Sequence, residues 1–357
     1  MLITLARRVG IAVLTLLVAS IIIWLLLLFA PGDPAAGVLR ARGILEPDPV
    51  EVTAMRAELG LDGNPVVRYV EWLVAAIQGD FGASWKSGKP VMEEFGTRLP
   101  ATLRLTFSAM LIGVVLALVI GIASAAAPRR RLDRVGRVVS LAMVIAPGFL
   151  VGLLILNVFV LKLGLGVIIS DGTWRTVGWP AITLALGAAG YWARILRASI
   201  LEAQSSAFML VCRARGVSPT RQMLVHAVPN AAGPFLTVVG LGAAGLIGGA
   251  PIIESVFTWP GVGGFTVQAI NARNQPVIAG FTMIAVLIYV VASLVIDLAL
   301  SLIDPRLRAN GFSRRRARNV RAEPTMGAPS TDETPTDEPS MVGSAASDSH
   351  ASAGTSR

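Results

Sequence analysis

Three stretches of this chain have residue types at a spacing that invites a chemical reading. "GLGAAG" (Gly240–Gly245) matches the letters of a dinucleotide fingerprint. That chemistry needs a strand before the glycines, a helix after them and an acid about 20 residues on to hold the ribose. Here the glycines lie inside a long apolar run, which suits close helix packing instead. "GASWKSGKP" (Gly82–Pro90) resembles a phosphate-binding loop and fails twice: five residues rather than four separate Gly82 from Gly88, and Pro90 stands where a magnesium-binding hydroxyl is required. The third stretch, "CRARGVSPTRQMLVHAVPNAAGP" (Cys212–Pro234), is a polar island with three arginines and a histidine between two greasy segments. Its chemistry is that of docking.

Catalytic alternatives are thin. No HExxH, Gly-x-Ser-x-Gly or Ser-x-x-Lys pattern stands out, and the two histidines, His226 and His350, cannot form a metal cluster. The single cysteine, Cys212, rules out an internal disulfide and a cysteine-based metal site. We therefore assign no catalytic residue, no metal and no cofactor bound by this chain.

The elements that must position the island are apolar helices. Of 357 residues, 54% are hydrophobic and only 15% charged, and mean hydropathy is +0.67. The apolar residues fall in six blocks near the 20-residue length of a membrane span: Val9–Ala30, Leu105–Pro128, Val138–Leu161, Val177–Ala193, Ala231–Ile253 and Val277–Ile303. Spanning segments in lipid must satisfy their own backbone, so the expected fold class is an all-α polytopic membrane protein with six transmembrane helices. The first block is too long for a secretory leader and reads as a retained anchor. Pro180, Gly187 and Gly190 make the fourth the weakest block. "GLIGG" (Gly245–Gly249) and "GFLVG" (Gly148–Gly152) supply small-residue pairs for helix contacts.

Net charge is +9, but its placement argues against nucleic acid. Arg7–Arg8, Arg129–Arg137, Arg194–Arg221 and Arg306–Arg321 fall at alternate ends of the blocks, which the positive-inside rule reads as cytoplasmic. Both termini are then cytoplasmic, and Pro31–Pro100, with seven Lys/Arg against ten Asp/Glu, lies outside. The expected divisions are an anchor at 1–30, an extracytoplasmic segment at 31–98, a five-helix transmembrane domain at 99–304 with a cytoplasmic loop at 199–233, and a tail at 305–357. Within the outer segment, "PVVRYVEWLVAAIQ" predicts an amphipathic helix with Val66, Val70, Leu73 and Ile77 on one face. The tail is basic, suited to anionic membrane lipid, and then polar enough to be disordered. Asp297 and Asn157 are candidate pathway or interior polar residues; an acid at mid-bilayer costs about 3 kcal/mol, which the surrounding apolar residues offset.

Inside the island, a helix continuing from the fourth block should end at Gly216, where a left-handed residue suits the last turn. Ser218 is placed to cap the next helix, Pro219 fits its first position, and Met223, Leu224, Ala227 and Val228 form one apolar side. Pro229 and Pro234 should then bend the chain into the fifth block. From these residues alone, a docking elbow and an ordinary interfacial elbow are equally good readings.

From about Leu2 to Arg308 the chain resembles the permease subunits of bacterial ATP-binding-cassette importers of the dipeptide/oligopeptide/nickel class. "PGDPA", "LGLD", "GDFGASW", "RLPATLRLT", "ESVFTWPGVGG" and "DPRLR" occur in the order of that class. The class hallmark is a Glu-Ala-Ala loop closing on a glycine and a proline. Aligned on Gly216, it matches Ala214, Arg215, His226, Ala227, Pro229, Asn230 and Pro234, while its Glu-Ala-Ala positions are Leu210-Val211-Cys212. The resemblance implies the type I importer transmembrane-domain fold in a bacterial plasma membrane. It implies an ATPase-coupling loop carrying Ala214, Arg215, Gly216, Val217, Ser218, Met223, Leu224, His226 and Pro229. The implied partners are a second homologous permease, two cytoplasmic ATPase subunits that hold the ATP-Mg, and an extracytoplasmic substrate-binding protein. The implied cargo is di- or oligopeptides, with nickel chelates as another member of the class. An ATP-independent channel or an intramembrane enzyme is the alternative.

Overall fold

A computed structural model describes residues 2–128 and 130–303, with side chains described for residues 10–128 and 130–291. The expected tail at 305–357 lies outside the described residues. Every regular element among those described is helical. α1 (Leu2–Leu28) covers the expected anchor and is followed by α2 (Pro34–Ala41), α3 (Pro49–Glu58) and α4 (Pro65–Ile77). α5 (Val91–Ala126) is the first long core helix. α6 (Arg131–Ile145) and α7 (Gly148–Ile155) follow, α7 widening into a π-helical stretch at Leu156–Lys162. α8 (Gly178–Ser205), α9 (Ala207–Ala214), α10 (Pro219–Arg221) with a π turn at Gln222–Ala227, α11 (Val228–Val256), α12 (Val262–Asn271) and α13 (Gln275–Ile303) complete the chain.

Two ridges of small residues organise the core. On α5, Ala101, Leu105, Ala109, Gly113, Ala117, Gly121 and Ala125 recur every fourth residue and are all buried. On α8, Ala181, Ala185, Ala189 and Ala193 do the same. Fourth-residue ridges interdigitate, and alanine and glycine let the backbones approach. A Cβ at Gly121 would sit 3.0 Å from the Ala193 carbonyl. Trp192, 1% exposed, slots between two glycines: a Cβ would meet its ring at 2.9 Å from Gly113 and at 2.7 Å from Gly242. The middle glycine of "GLGAAG" thus serves an indole. Of the two small-residue pairs, Gly152 packs on Val256, Phe257 and Thr183 and Gly249 on Leu184, whereas Gly245 faces open space.

Several spans differ from the sequence expectation. The block Val138–Leu161 is two helices meeting at 100°. Ala146 (ψ 123°) precedes Pro147, whose ring bars it from the helical region, so the helix ends there. The weak fourth block forms a continuous helix, α8, that packs on α5, α6, α7 and α11. Its Gly190 is no interruption: a Cβ there would come within 2.5 Å of the Ser140 carbonyl of α6. Among the described residues, three helices are long and apolar enough to cross a membrane, or up to five when each bent pair counts as one span.

The segment at 31–98 folds on a small core of Ala35, Val38, Leu39 and Met55 from α2 and α3, joined by Trp85. Asp48 and Glu51 close a capping box on α3, as helix-starting acids do. α4 forms where expected, with the Asn64 side chain accepting from Val66 N. Its apolar residues share one side, which faces outward from this chain, with Leu73 half-buried at its edge. Val66, Val70 and Ile77 are exposed, and Tyr69 and Trp72 pack on Trp24 of α1.

Candidate functional site: an elbow and a pinned loop at the two ends of α11

The helix entering the island does not run unbroken to Gly216. It stops at Ser206 (ψ 157°), where α8 turns 63° into α9. The Ser206 hydroxyl donates to the Ala203 carbonyl at 2.5 Å, taking one of the carbonyls a helix end leaves free. Gly216 does terminate α9, at φ +71°, with Gly216 N donating to Arg213 O and Val217 N to Cys212 O. No heavy atom lies within 4 Å of a Cβ built there, so backbone conformation, not space, selects glycine.

Ser218 sits in extended conformation at the start of α10, but its hydroxyl makes no capping bond. The turn is closed instead by Gln222, whose backbone N–H donates to Ser218 O at 2.9 Å and whose side-chain amide donates to Val217 O at 2.6 Å. Pro229 and Pro234 do not break the chain, since Pro219–Val256 runs as one helical path. The π turn just before Pro229 explains this, because a widened turn absorbs the hydrogen bond proline cannot donate. Asn230 Nδ2 donates to the neighbouring His226 carbonyl at 2.7 Å.

The expected apolar side splits in two. Met223 and Ala227 are buried with Met209 and Ile200 in the main core, which fixes the elbow to α8 and α11. Leu224 is 53% exposed, together with Val225, Phe208, Leu210 and Val211. Ala214, Arg215, Gly216, Ser218 and Pro229 are exposed, and Val217 and His226 are half-buried. The elbow therefore presents an aliphatic tip rimmed by Arg213, Arg215 and Arg221, all exposed. Leu210 and Val211, at the positions of Glu-Ala, belong to that tip, while Cys212 packs inward against the core.

At the far end of α11, about 42 Å away at 1.5 Å per residue, a second site went unassigned in the sequence. Glu254 is fully buried: it accepts from Thr102 Oγ1 at 2.7 Å and from Gly264 N at 2.8 Å. Thr102 Oγ1 also accepts from Val262 N at 2.9 Å, so the pair satisfies two free amides of the first turn of α12. A side chain at Gly261 would overlap the Glu254 carboxylate. Trp259 Nε1 donates to Ala101 O at 3.0 Å and holds a loop whose Thr258 adopts φ +48°. The readable signal is an acid at the end of an apolar run, eight residues before a glycine-rich helix start.

Asn157 is exposed on the π stretch, so it is not interior to this chain. Asp297 lies in α13, with its side chain outside the described residues. Among the described residues no group of three His, Cys, Asp or Glu could hold a metal ion.

Residues 113–309 match the family described as "Binding-protein-dependent transport system inner membrane component", and residues 1–106 match its N-terminal companion. The chain belongs to this permease family. The glutathione transport system permease protein GsiC of Salmonella choleraesuis (strain SC-B67) is 34% identical over 294 residues, 82% of this chain and 95% of that one. The GsiC of Escherichia coli (strain K12) is 33% identical over the same share of each. The MetNI methionine ABC transporter in an inward-facing form aligns with 60% of the chain and 97% of its own at 17% identity and a TM-score of 0.49. As a member of the binding-protein-dependent family, the chain is a multi-pass inner-membrane permease and a transport component, not an enzyme. Such a system implies an ATPase and a substrate-binding protein as partners.

Proposed function

We propose that this permease forms half of the translocation path of a peptide importer and is driven through the elbow at residues 206–230. The path is completed by a second, homologous permease, and two cytoplasmic ATPase subunits supply ATP-Mg chemistry that this chain does not contain. The topology is six spans with both termini cytoplasmic: α1, α5, the bent pair α6–α7, α8, α11 and α13. The fold is that of type I importer transmembrane domains, and Asn157 and Asp297 are its candidate polar path residues.

The observation that carries this reading is the build of the elbow. Its inner side is locked into the core by Met209, Met223 and Ala227, and its outer side exposes an aliphatic tip with arginines around it. A rigid part with an apolar contact face can pass a partner's movement to α8 and α11. The ATPase then biases the inward-open and outward-open states through its different contact with the tip in each. Ala214, Arg215, Gly216, Val217, Ser218, Leu224, His226 and Pro229 form or shape that contact, and Met223 anchors it. Leu210 and Val211 replace a charged contact with an apolar one.

The cargo is proposed as small peptides. The GsiC relatives carry glutathione, a tripeptide, in their names. A separate binding protein delivers the cargo to the outer face, near α2 to α4 and the Trp259 loop. Gly216→Val tests the coupling: it forces a β-branched residue to φ +71° without a steric clash, so insertion should persist while uptake and ATPase co-purification fall at least tenfold, about 1.4 kcal/mol in coupling. Unchanged uptake would remove the elbow from the mechanism.

A further inference from the structure

α4 turns one aliphatic side away from the rest of the described residues. Val66, Val67, Val70, Val74 and Ile77 fall within an arc of about 100° on this helix, and all are at least half exposed, Ile77 at 79%. The opposite arc is held by α1. Tyr69 and Trp72 lie against Trp24, the Arg68 guanidinium sits 5.7 Å over the Trp24 ring, and the Tyr69 hydroxyl is 2.8 Å from Ser20 Oγ.

Depth decides what covers the exposed arc. The apolar run of α1, Gly10–Leu28, has 19 residues. At 1.5 Å per residue it is only just long enough for the hydrocarbon core, so all of it is needed to cross. Ser20 and Trp24 lie about 12 and 6 Å inside its Leu28 end by the same rise. Beyond them Leu25, Leu26 and Leu28 still offer exposed apolar surface. A helix packed on Trp24, with its Tyr69 hydroxyl reaching in to Ser20, therefore lies within the outer half of the hydrocarbon, at the depth to which interfacial helices sink an apolar face.

We propose that α4 is an interfacial membrane helix, with its aliphatic arc seated among the acyl chains of the leaflet at the Leu28 end of α1. No charged residue interrupts the arc; Glu71 lies at its rim. A soluble protein that docks and departs would return five aliphatic side chains to water in every cycle, whereas lipid covers them throughout. The outer segment is thus tied to the bilayer at α4 as well as through α1 and α5. The assignment concerns depth alone, so it holds or fails independently of the transport reading.

Nitroxide accessibility tests it. The Cys212→Ser permease, in its complete complex in phosphatidylethanolamine/phosphatidylglycerol vesicles, carries one spin label through Val70→Cys, Val74→Cys or Glu71→Cys. At 70 and 74, collisions with oxygen should exceed those with a water-soluble nickel chelate several-fold, and at 71 the ratio should reverse. Chelate-dominated collisions at 70 and 74 would overturn the proposal in favour of an aqueous face, and shielding from both reagents would overturn it in favour of a protein cover. Val67→Cys and Ile77→Cys lie on the same arc and carry the same expectation should either first label prevent assembly.

Discussion

Arg197 of α8 grips Asp133 of α6 with both arms of its guanidinium, Nε at 2.7 Å from Oδ1 and Nη2 at 3.0 Å from Oδ2. Asp133 is 1% exposed, and Arg137 approaches it from one turn on at 3.6 Å. The acid sits in the first turn of α6, where a negative charge also suits the helix dipole. One side chain thereby ties the start of the bent α6–α7 pair to the helix that leads into the elbow.

Removing the acid should be costly. Asp133→Ala leaves Arg197 facing a buried void, and breaking such a pair costs about 3 kcal/mol where one partner retains a route to water. Thermal unfolding in detergent checks this, with an expected fall of several degrees. The exchange Asp133→Arg with Arg197→Asp should recover part of the loss, and a double-mutant cycle would read the coupling directly.

Trp192 offers a second cycle. Gly242→Val pushes a methyl into the indole and should destabilise by about 1–3 kcal/mol through overpacking. Trp192→Ala removes the ring and should cost about 3 kcal/mol through the cavity left behind. Together they should be milder than their sum, because the valine fills part of the cavity. Strict additivity would show that the ring does not pack on Gly242.

Glu254 and Thr102 predict a local effect. Glu254→Ala strands the Gly264 amide and the Thr102 hydroxyl in a buried place, at about 1–3 kcal/mol for each orphaned group. Limited proteolysis should then open the chain between Phe257 and Gly261 while the elbow stays protected. Cleavage first at the elbow would contradict the pin.

Asp171 carries the pH prediction. The Thr176 hydroxyl, then the Thr173 amide and hydroxyl, stabilise its carboxylate and lower its pKa to about 2. A depressed carboxylate pKa adds stability that is present above its ordinary value near 3.8 and is lost as pH falls toward about 2. The turn at 171–176 should thus be indifferent between pH 5 and 8. Thr176→Val should raise the Asp171 pKa toward 3.8, read by carbon-detected titration of labelled aspartate.

The sequence revealed long apolar helices, the α4 boundaries and the left-handed turn at Gly216, because each rests on local rules of length, capping or backbone conformation. The break at Pro147 was locally readable too, through the restriction on Ala146, but an apolar run hides it from a hydropathy argument. The enclosed state of α8 could not be read from its glycines, which look like weaknesses until Ser140 of α6 is placed beside Gly190. The fourth-residue repeat of small residues from Ala101 to Ala125 was the better signal of where helices meet. Which α4 face packs depended on Trp24, more than 40 residues away in sequence, and Glu254 needed Thr102 of another helix. Those relations exist only after tertiary packing.

Crosslinking from the elbow tests the central claim most directly. In the Cys212→Ser permease, a single cysteine at Ser218 or Leu224 is given a short bifunctional reagent in vesicles that hold the complete transporter. The elbow account predicts an adduct with the ATPase subunit whose yield changes when ATP is added. The account is contradicted if these cysteines react with a membrane-impermeant maleimide from the outer side, or if they never join the ATPase.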